Sequence, residues 1–233
     1  MSSASQASCE CGPLGRFLGT TVGKKAAMAV TGILMFGFVL AHLAGNLQVF
    51  AGDGGAKLNA YAHFLRTMPA VLWAARLVLL AALVLHVWAA VSLKRLSGQA
   101  RPVPYKLRRD LKATTSSRTM YWGGISLFFY VIYHLLHFTF GAASPIAEGF
   151  RQDQVYQNMV ASFQNPVLSG VYVLAMGALG MHLFHGLYSL FQTLGFNHPA
   201  YMPRIKLCAK LFAAVVVLGF VSIPVAVLAD LVK

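Results

Sequence analysis

Five apolar runs of hydrocarbon length dominate this chain: Ala26 to Phe50, Val71 to Leu96, Thr119 to Gly141, Pro166 to Thr193 and Leu207 to Leu231. Crossing the apolar core of a bilayer takes about 20 residues of helix, so each run is long enough to span. Lipid offers no partner to backbone N–H and C=O groups, and none of the runs shows the alternation of a barrel strand, so each is expected to be a helix. Composition agrees: 58% of the residues are hydrophobic and 11% are charged, against roughly a quarter charged in soluble domains. The expected fold is an all-α integral membrane protein, five transmembrane helices in an antiparallel bundle. Residues 1–20 are expected to be an N-terminal cytoplasmic tail, and residues 21–233 one five-helix domain. Ser2 to Gly12, polar and without apolar periodicity, reads as a disordered tail or docking arm. The first run is too long for a signal-peptide core and no small-residue cleavage site follows it, so the N-terminus is expected to stay attached.

A net charge of +13 would suit a nucleic-acid partner if the basic residues were clustered, but their distribution follows topology. With the N-terminus inside, 14 of the 19 Lys and Arg lie on the inner side, including eight between Lys94 and Arg118. Lys57, Arg66, Arg76, Arg151 and Lys233 remain outside, with Asp53, Glu148, Asp153 and Asp230. The positive-inside rule therefore places the N-terminus in the cytoplasm, and no nucleic acid is expected as partner. The inner loop Ser97 to Ser117, with its run Tyr105-Lys106-Leu107-Arg108-Arg109, suits both anionic lipid and a docked protein. Cys9, Cys11 and Cys208 fall on the reducing inner side and are too scattered for a zinc site. Ala56 to Leu65, and Phe150 to Phe163 with Phe150, Val155, Met159 and Phe163 on one face, are expected to be short interfacial helices capping the outer end.

Six of the eight histidines, His42, His86, His134, His137, His182 and His185, fall inside the spans, where ionisable residues are costly and mark function. A single one of them would read as an interhelical hydrogen-bond partner. Their depths say more. His42 follows Lys25 by 17 residues and His134 follows Arg118 by 16, so at 1.5 Å rise per residue both sit about 25 Å from the inner boundary. His86 precedes Lys94 by 8 residues and His182 precedes Gln192 by 10, which places both about 12 to 15 Å from it. Four helices thus supply one histidine each, in two level pairs offset by about 10 Å, as two stacked bis-histidine b haems require. No acid lies in the middle of a span, which disfavours carboxylate-rich di-iron or zinc sites. Ala90 and Gly186, one turn from His86 and His182, would leave room beside a flat macrocycle. His137 and His185 follow His134 and His182 by three residues and could replace them as ligands. Otherwise they could bond a propionate, a quinone or a neighbouring helix.

These residues resemble the two-haem cytochrome b membrane subunits of succinate:menaquinone oxidoreductases and fumarate reductases. The resemblance rests on "FVLAHLAGN" around His42, "AHFLRTMP" from Ala62 to Pro69, "LVLHVWAAV" around His86, "GISLFFYVIYHLLHF" ending after His134, "VYQNMVASFQNP", and "MHLFHGLYSLF" around His182. It implies a single-chain anchor in the cell inner membrane, with His42 and His134 holding the outer haem and His86 and His182 the inner one. It also implies a flavoprotein and an iron-sulfur subunit docked on the cytoplasmic face, and menaquinone as electron acceptor. The chain would then carry no succinate chemistry and no catalytic side chain of its own, serving as the quinone-reducing subunit; a higher oligomer of the complex stays open. Some members place a glutamate two residues before the helix-4 ligand as a proton path, but here that position is Gly180. For the quinone, an outer pocket could draw on Asn46, Gln48, Tyr61, His63 and Arg66, and an inner one on Arg16, Thr20 or His185. The alternatives are the cytochrome b anchor of another quinone-linked dehydrogenase and, in a different class, a small histidine-dependent transporter. The latter calls for broken helices in matching halves, and Pro224 is the only proline well inside a span.

Overall fold

The computed structural model describes residues 12–100, 115–144 and 149–233, and all regular structure among them is helical. The tail cysteines Cys9 and Cys11 and the basic run Tyr105 to Arg109 lie outside the described residues. In chain order the elements are α1 (Pro13–Gly19), α2 (Thr21–Asn46), a 3-10 turn (Leu47–Ala51), α3 (Ala56–Thr67), α4 (Pro69–Gln99), α5 (Thr115–His134), a π turn (Leu135–Thr139), α6 (Val155–Phe163), α7 (Pro166–Thr193) and α8 (Met202–Leu228). Five stretches are long and apolar enough to cross a membrane: Thr21–Ala51, Pro69–Gln99, Thr115–Thr139, Pro166–Thr193 and Met202–Leu228. The fold is therefore an all-α, multi-pass membrane architecture. Bulky apolar side chains point outward along the spans, with Leu174 77% and Trp122 70% exposed; in water such a surface would aggregate, and in lipid it is the solvated face.

Contacts divide the described chain into two compact units. The first combines α1, α2 up to Met35, and α4 from Leu79 onward. Thr20 punctuates the α1–α2 corner: its hydroxyl donates to the Phe17 carbonyl at 2.8 Å and accepts the Gly23 amide at 2.9 Å, as an N-cap does for an orphaned helix-start donor. Lys24 is buried; its Nζ donates to the Gly19 carbonyl at 2.7 Å and lies 5.9 Å from the centre of the Trp88 ring. A cation at the last carbonyls of α1 complements the helix C-terminus.

The second unit contains α2 from Phe36, α3, the start of α4, and everything described beyond residue 114. Here α7 packs between α5 and α8. Its start is written locally: Pro166 takes the first helical position and the Asn165 side chain accepts the Val167 and Leu168 amides at 3.0 and 3.2 Å, satisfying donors that have no partner within the helix. One end of this unit is closed by α3 and α6. The Asn59 side chain accepts the Tyr156 amide at 2.9 Å and donates to Gln157 Oε1 at 3.0 Å. The Tyr156 hydroxyl donates to the Lys233 carbonyl at 2.8 Å, fastening the chain end. Gly55, at φ 89°, starts α3 in the left-handed region that favours glycine, and a Cβ there would run into the Tyr156 ring.

The two short helices expected from the sequence are present at one end of this unit, and α6 is more deeply buried than its single apolar face implies. Tyr156, Met159, Val160 and Phe163 are buried in a common core with Val49, Leu58, Tyr172, Ile223 and Val227. Asn158 and Ser162, on the remaining faces, are buried as well. Apolar periodicity identified one face of α6; α3, α7 and α8 pack around it, the Arg151 backbone and His137 meet Asn158 and Ser162, and Gln157 stays exposed.

Candidate cofactor site

In the second unit, α2 presents His42 toward α5, whose last residue is His134. Their ring centroids stand 5.8 Å apart with the planes at 86°. Aromatic neighbours fix each ring: Phe38, one turn earlier on α2, stacks on His42 at 5.3 Å, and Tyr130, one turn earlier on α5, stacks on His134 at 5.8 Å. Both follow from the i, i+4 adjacency of a helix face. The Tyr172 hydroxyl reaches His134 Nδ1 at 3.5 Å.

His137 is placed differently. It lies in the π turn, is fully buried, and has both ring nitrogens engaged inside the protein: Nδ1 with the Tyr172 hydroxyl at 2.8 Å and Nε2 with Ser162 Oγ at 3.0 Å. No ring nitrogen is left over for a metal, a propionate or a quinone in this arrangement.

In the first unit, His86 on α4 meets Thr31 on α2. Thr31 is buried, and its Oγ1 lies 2.7 Å from the Ala27 carbonyl, 3.2 Å from the Met28 carbonyl and 3.1 Å from His86 Nδ1. A hydroxyl has one proton. With the Thr31 proton given to one of these carbonyls, its oxygen accepts from His86 Nδ1–H. In that polarity the neutral imidazole carries its proton on Nδ1 and keeps a lone pair on Nε2, the form a metal ligand needs.

His182, in the second unit, is half-buried on α7, with Gly124 of α5 alongside: a Cβ on that glycine would stand 3.8 Å from His182 Cε1. Gly32 has the same relation to His86, at 3.6 Å. Beside Gly186, one turn after His182, a Cβ would meet open space. His185 Nδ1 lies 2.9 Å from the Tyr188 hydroxyl on its own helix.

The residues considered for a quinone fall into distinct settings. Asn46 Nδ2 donates back to the His42 carbonyl at 2.7 Å, and Tyr61 lies over Gly45, where a Cβ would come within 2.7 Å of its ring. Both thus lie at the end of α2, with half-buried Gln48 in the 3-10 turn that follows. His63 and Arg66 are exposed on α3. Thr20 is used as the α2 cap, and Arg16 is exposed on α1. A groove of about 450 Å³ opens between α5 and α7, with Ser126, Tyr130 and Tyr133 among otherwise apolar walls.

Two imidazoles fit a haem iron better than they fit a bare ion. Among the described residues no group of three or more His, Cys, Asp and Glu side chains converges on one point, whereas a porphyrin needs only two axial ligands from the protein. With metal–nitrogen bonds of about 2.0 Å on each side, opposed imidazole centroids stand roughly 6 Å apart. The 5.8 Å between the His42 and His134 ring centroids is close to that separation.

The family model for the succinate dehydrogenase/fumarate reductase transmembrane subunit matches residues 103–221, half of the chain. The chain belongs to this family. No curated protein and no solved structure matches it. Membership makes the protein a membrane-embedded member of an oxidoreductase complex. The matched span contains His134, His137, His182 and His185, together with Ser162 and Tyr172; His42 and His86 precede it. The signal that could have singled out Thr31 and Tyr172 in this transmembrane subunit is a hydroxyl within a span, though it does not say which histidine the hydroxyl serves.

Proposed function

We propose that this transmembrane subunit is a two-haem cytochrome b anchor that takes electrons from the iron-sulfur subunit of the complex and delivers them to menaquinone. His42 and His134 hold the outer haem, and His86 and His182 the inner one. Bound haem supplies one-electron storage; the chain supplies the imidazoles, keeps them neutral and oriented, and excludes water from around them. The N-terminus and the basic loop between the second and third spans face the cytoplasm, where the flavoprotein and iron-sulfur subunits dock on the inner membrane. Residues 1–20 form the cytoplasmic tail and 21–233 the haem-binding domain. Asn46, Gln48 and Tyr61, gathered at the end of α2, are the side chains for a quinone near the outer haem, with His63 and Arg66 at its margin; His185 serves the inner side.

The observation that carries this reading is the His42–His134 pair at 5.8 Å, contributed by two helices whose sequence levels agree. The test is a reduced-minus-oxidised optical spectrum with haem quantification on the purified subunit. His42, His86, His134 and His182 are each replaced by Ala. Two haems per chain are expected, with the same one lost in His42→Ala and His134→Ala and the other lost in His86→Ala and His182→Ala. A wild-type chain without haem would sink the proposal.

A further inference from the structure

Tyr172 is buried in the second unit, and its hydroxyl stands between two nitrogens of the same kind, His137 Nδ1 at 2.8 Å and His134 Nδ1 at 3.5 Å. A phenol has one proton, so it donates to one nitrogen while its oxygen accepts from the other. Two polarities satisfy the contacts. In one, His137 donates to Tyr172 and Tyr172 donates to His134; His134 Nδ1 is then a bare acceptor and its proton sits on Nε2. In the other, His134 Nδ1–H donates to the Tyr172 oxygen and the Tyr172 proton goes to His137 Nδ1. His137 then carries its own proton on Nε2 and donates it to Ser162 Oγ, 3.0 Å away. Only the second leaves His134 Nε2 with a lone pair to offer iron.

We propose that Tyr172 is the positioning residue of His134, with His137 and Ser162 completing a hydrogen-bond chain whose polarity is set once His134 binds haem iron through Nε2. The inference rests on the two-haem reading and extends it to side chains that touch no haem. Its chemistry matches the Thr31 contact of His86: in each case an Nδ1–H donates to a hydroxyl whose own proton is committed elsewhere. The 2.8 Å bond to His137 is the short one, as expected if the phenol proton is directed there and away from His134. Accepting the Nδ1 proton makes an axial imidazole a stronger donor to iron, which favours the oxidised state and lowers the potential.

Tyr172 also belongs to an aromatic cluster with Tyr130, Phe138 and Phe163, so a packing role has to be separated from a positioning one. Tyr172→Phe does this, because it keeps the ring and removes the hydroxyl. The experiment is a potentiometric titration of the purified complex, followed at the haem absorption bands, for wild type, Tyr172→Phe and Ser162→Ala. The expected result for Tyr172→Phe is an upward shift of one midpoint, that of the haem lost in His134→Ala, with the other midpoint unchanged. Ser162→Ala should move the same midpoint in the same direction by less, since it frees the Tyr172 hydroxyl only indirectly. Should Tyr172→Phe fail to retain that haem, Ser162→Ala, with every ring intact, decides: a shift supports the chain and no shift overturns it. Unmoved midpoints in Tyr172→Phe overturn the positioning role while leaving the two-haem reading intact. Absence of haem in wild type, or no haem lost in His134→Ala, overturns both.

Discussion

Replacing Thr31 with valine removes one hydroxyl and little else. Thr31 is 5% exposed, valine has nearly its shape, and both are β-branched, so the backbone of α2 has no reason to move. What disappears is the acceptor 3.1 Å from His86 Nδ1, together with the bond to the Ala27 carbonyl at 2.7 Å. The carbonyl loses little, because its own helical bond remains. The imidazole loses more. Leaving a buried donor unpaired costs about 1 to 3 kcal/mol, and His86, only partly buried, falls near the lower end. At about 1.4 kcal/mol per factor of ten, the haem held by His86 should bind roughly tenfold more weakly, at the bottom of the 10- to 100-fold range typical of outer-shell substitutions. The assay is transfer of haem from the purified protein to an excess of a high-affinity haem acceptor, followed optically, with the two haems resolved by their absorption maxima. The haem lost in His86→Ala should leave faster in Thr31→Val, the other should leave at the wild-type rate, and Thr31→Ser should restore retention. Equal retention of both haems in wild type and Thr31→Val, or equal loss of both in the variant, would refute the assignment of Thr31 to His86.

Two further predictions concern the closed end of the second unit and need no haem. Gly55→Ala must place a Cβ at φ 89° and against the Tyr156 ring; a left-handed non-glycine residue costs about 1 to 2 kcal/mol and the overlap about 1 to 3 more, so thermal unfolding in detergent should begin at clearly lower temperature. Wild-type melting of Gly55→Ala would show that α3 and α6 do not meet as described. Asn59→Ala removes the acceptor of the Tyr156 amide and the bond to Gln157, a loss comparable to a helix cap at about 0.5 to 2 kcal/mol. Faster amide exchange at the start of α6 is its expected signature, and unchanged exchange there would count against the contact.

The spans were legible because lipid makes a coarse demand: an uninterrupted apolar run leaves a helix as its only solution. Pro166 to Thr193 was placed residue for residue. The second span begins at Pro69 where Val71 was read, because proline is welcome in the first turn of a helix. The Thr119 to Gly141 run was read as uniform helix, and nothing in its pattern announces the π turn after His134. Burial of α6 was hidden for a related reason. Periodicity reveals which face of a short helix is apolar, while Asn158 and Ser162 are buried by partners that arrive from elsewhere: Arg151, whose backbone meets Asn158, and His137. The alternative between His134 and His137 was undecidable from spacing alone, since three residues separate them on one helix. The partners of His137, Ser162 and Tyr172, lie 25 and 35 residues further along the chain.

A neutral histidine in lipid carries one donor and one acceptor, and each must be answered within the protein. Among the described residues hydroxyls meet the Nδ1 side at four histidines: Thr31 at His86, Tyr172 at both His134 and His137, and Tyr188 at His185. That shared feature therefore cannot distinguish a ligand from a structural residue. At His137 the Nε2 side is answered as well, by Ser162 Oγ at 3.0 Å. The spans contain no acid in their middle, so none of these outer partners is a carboxylate. A buried carboxylate would have to be desolvated, and as a charged acceptor it would draw more strongly on the imidazole proton than a hydroxyl does. The neutral hydroxyl instead orients the ring without adding a formal charge in the apolar layer. Its removal should therefore shift one haem's potential or affinity without unfolding the span that carries it, and for that reason Thr31→Val and Tyr172→Phe are informative where a larger deletion would not be.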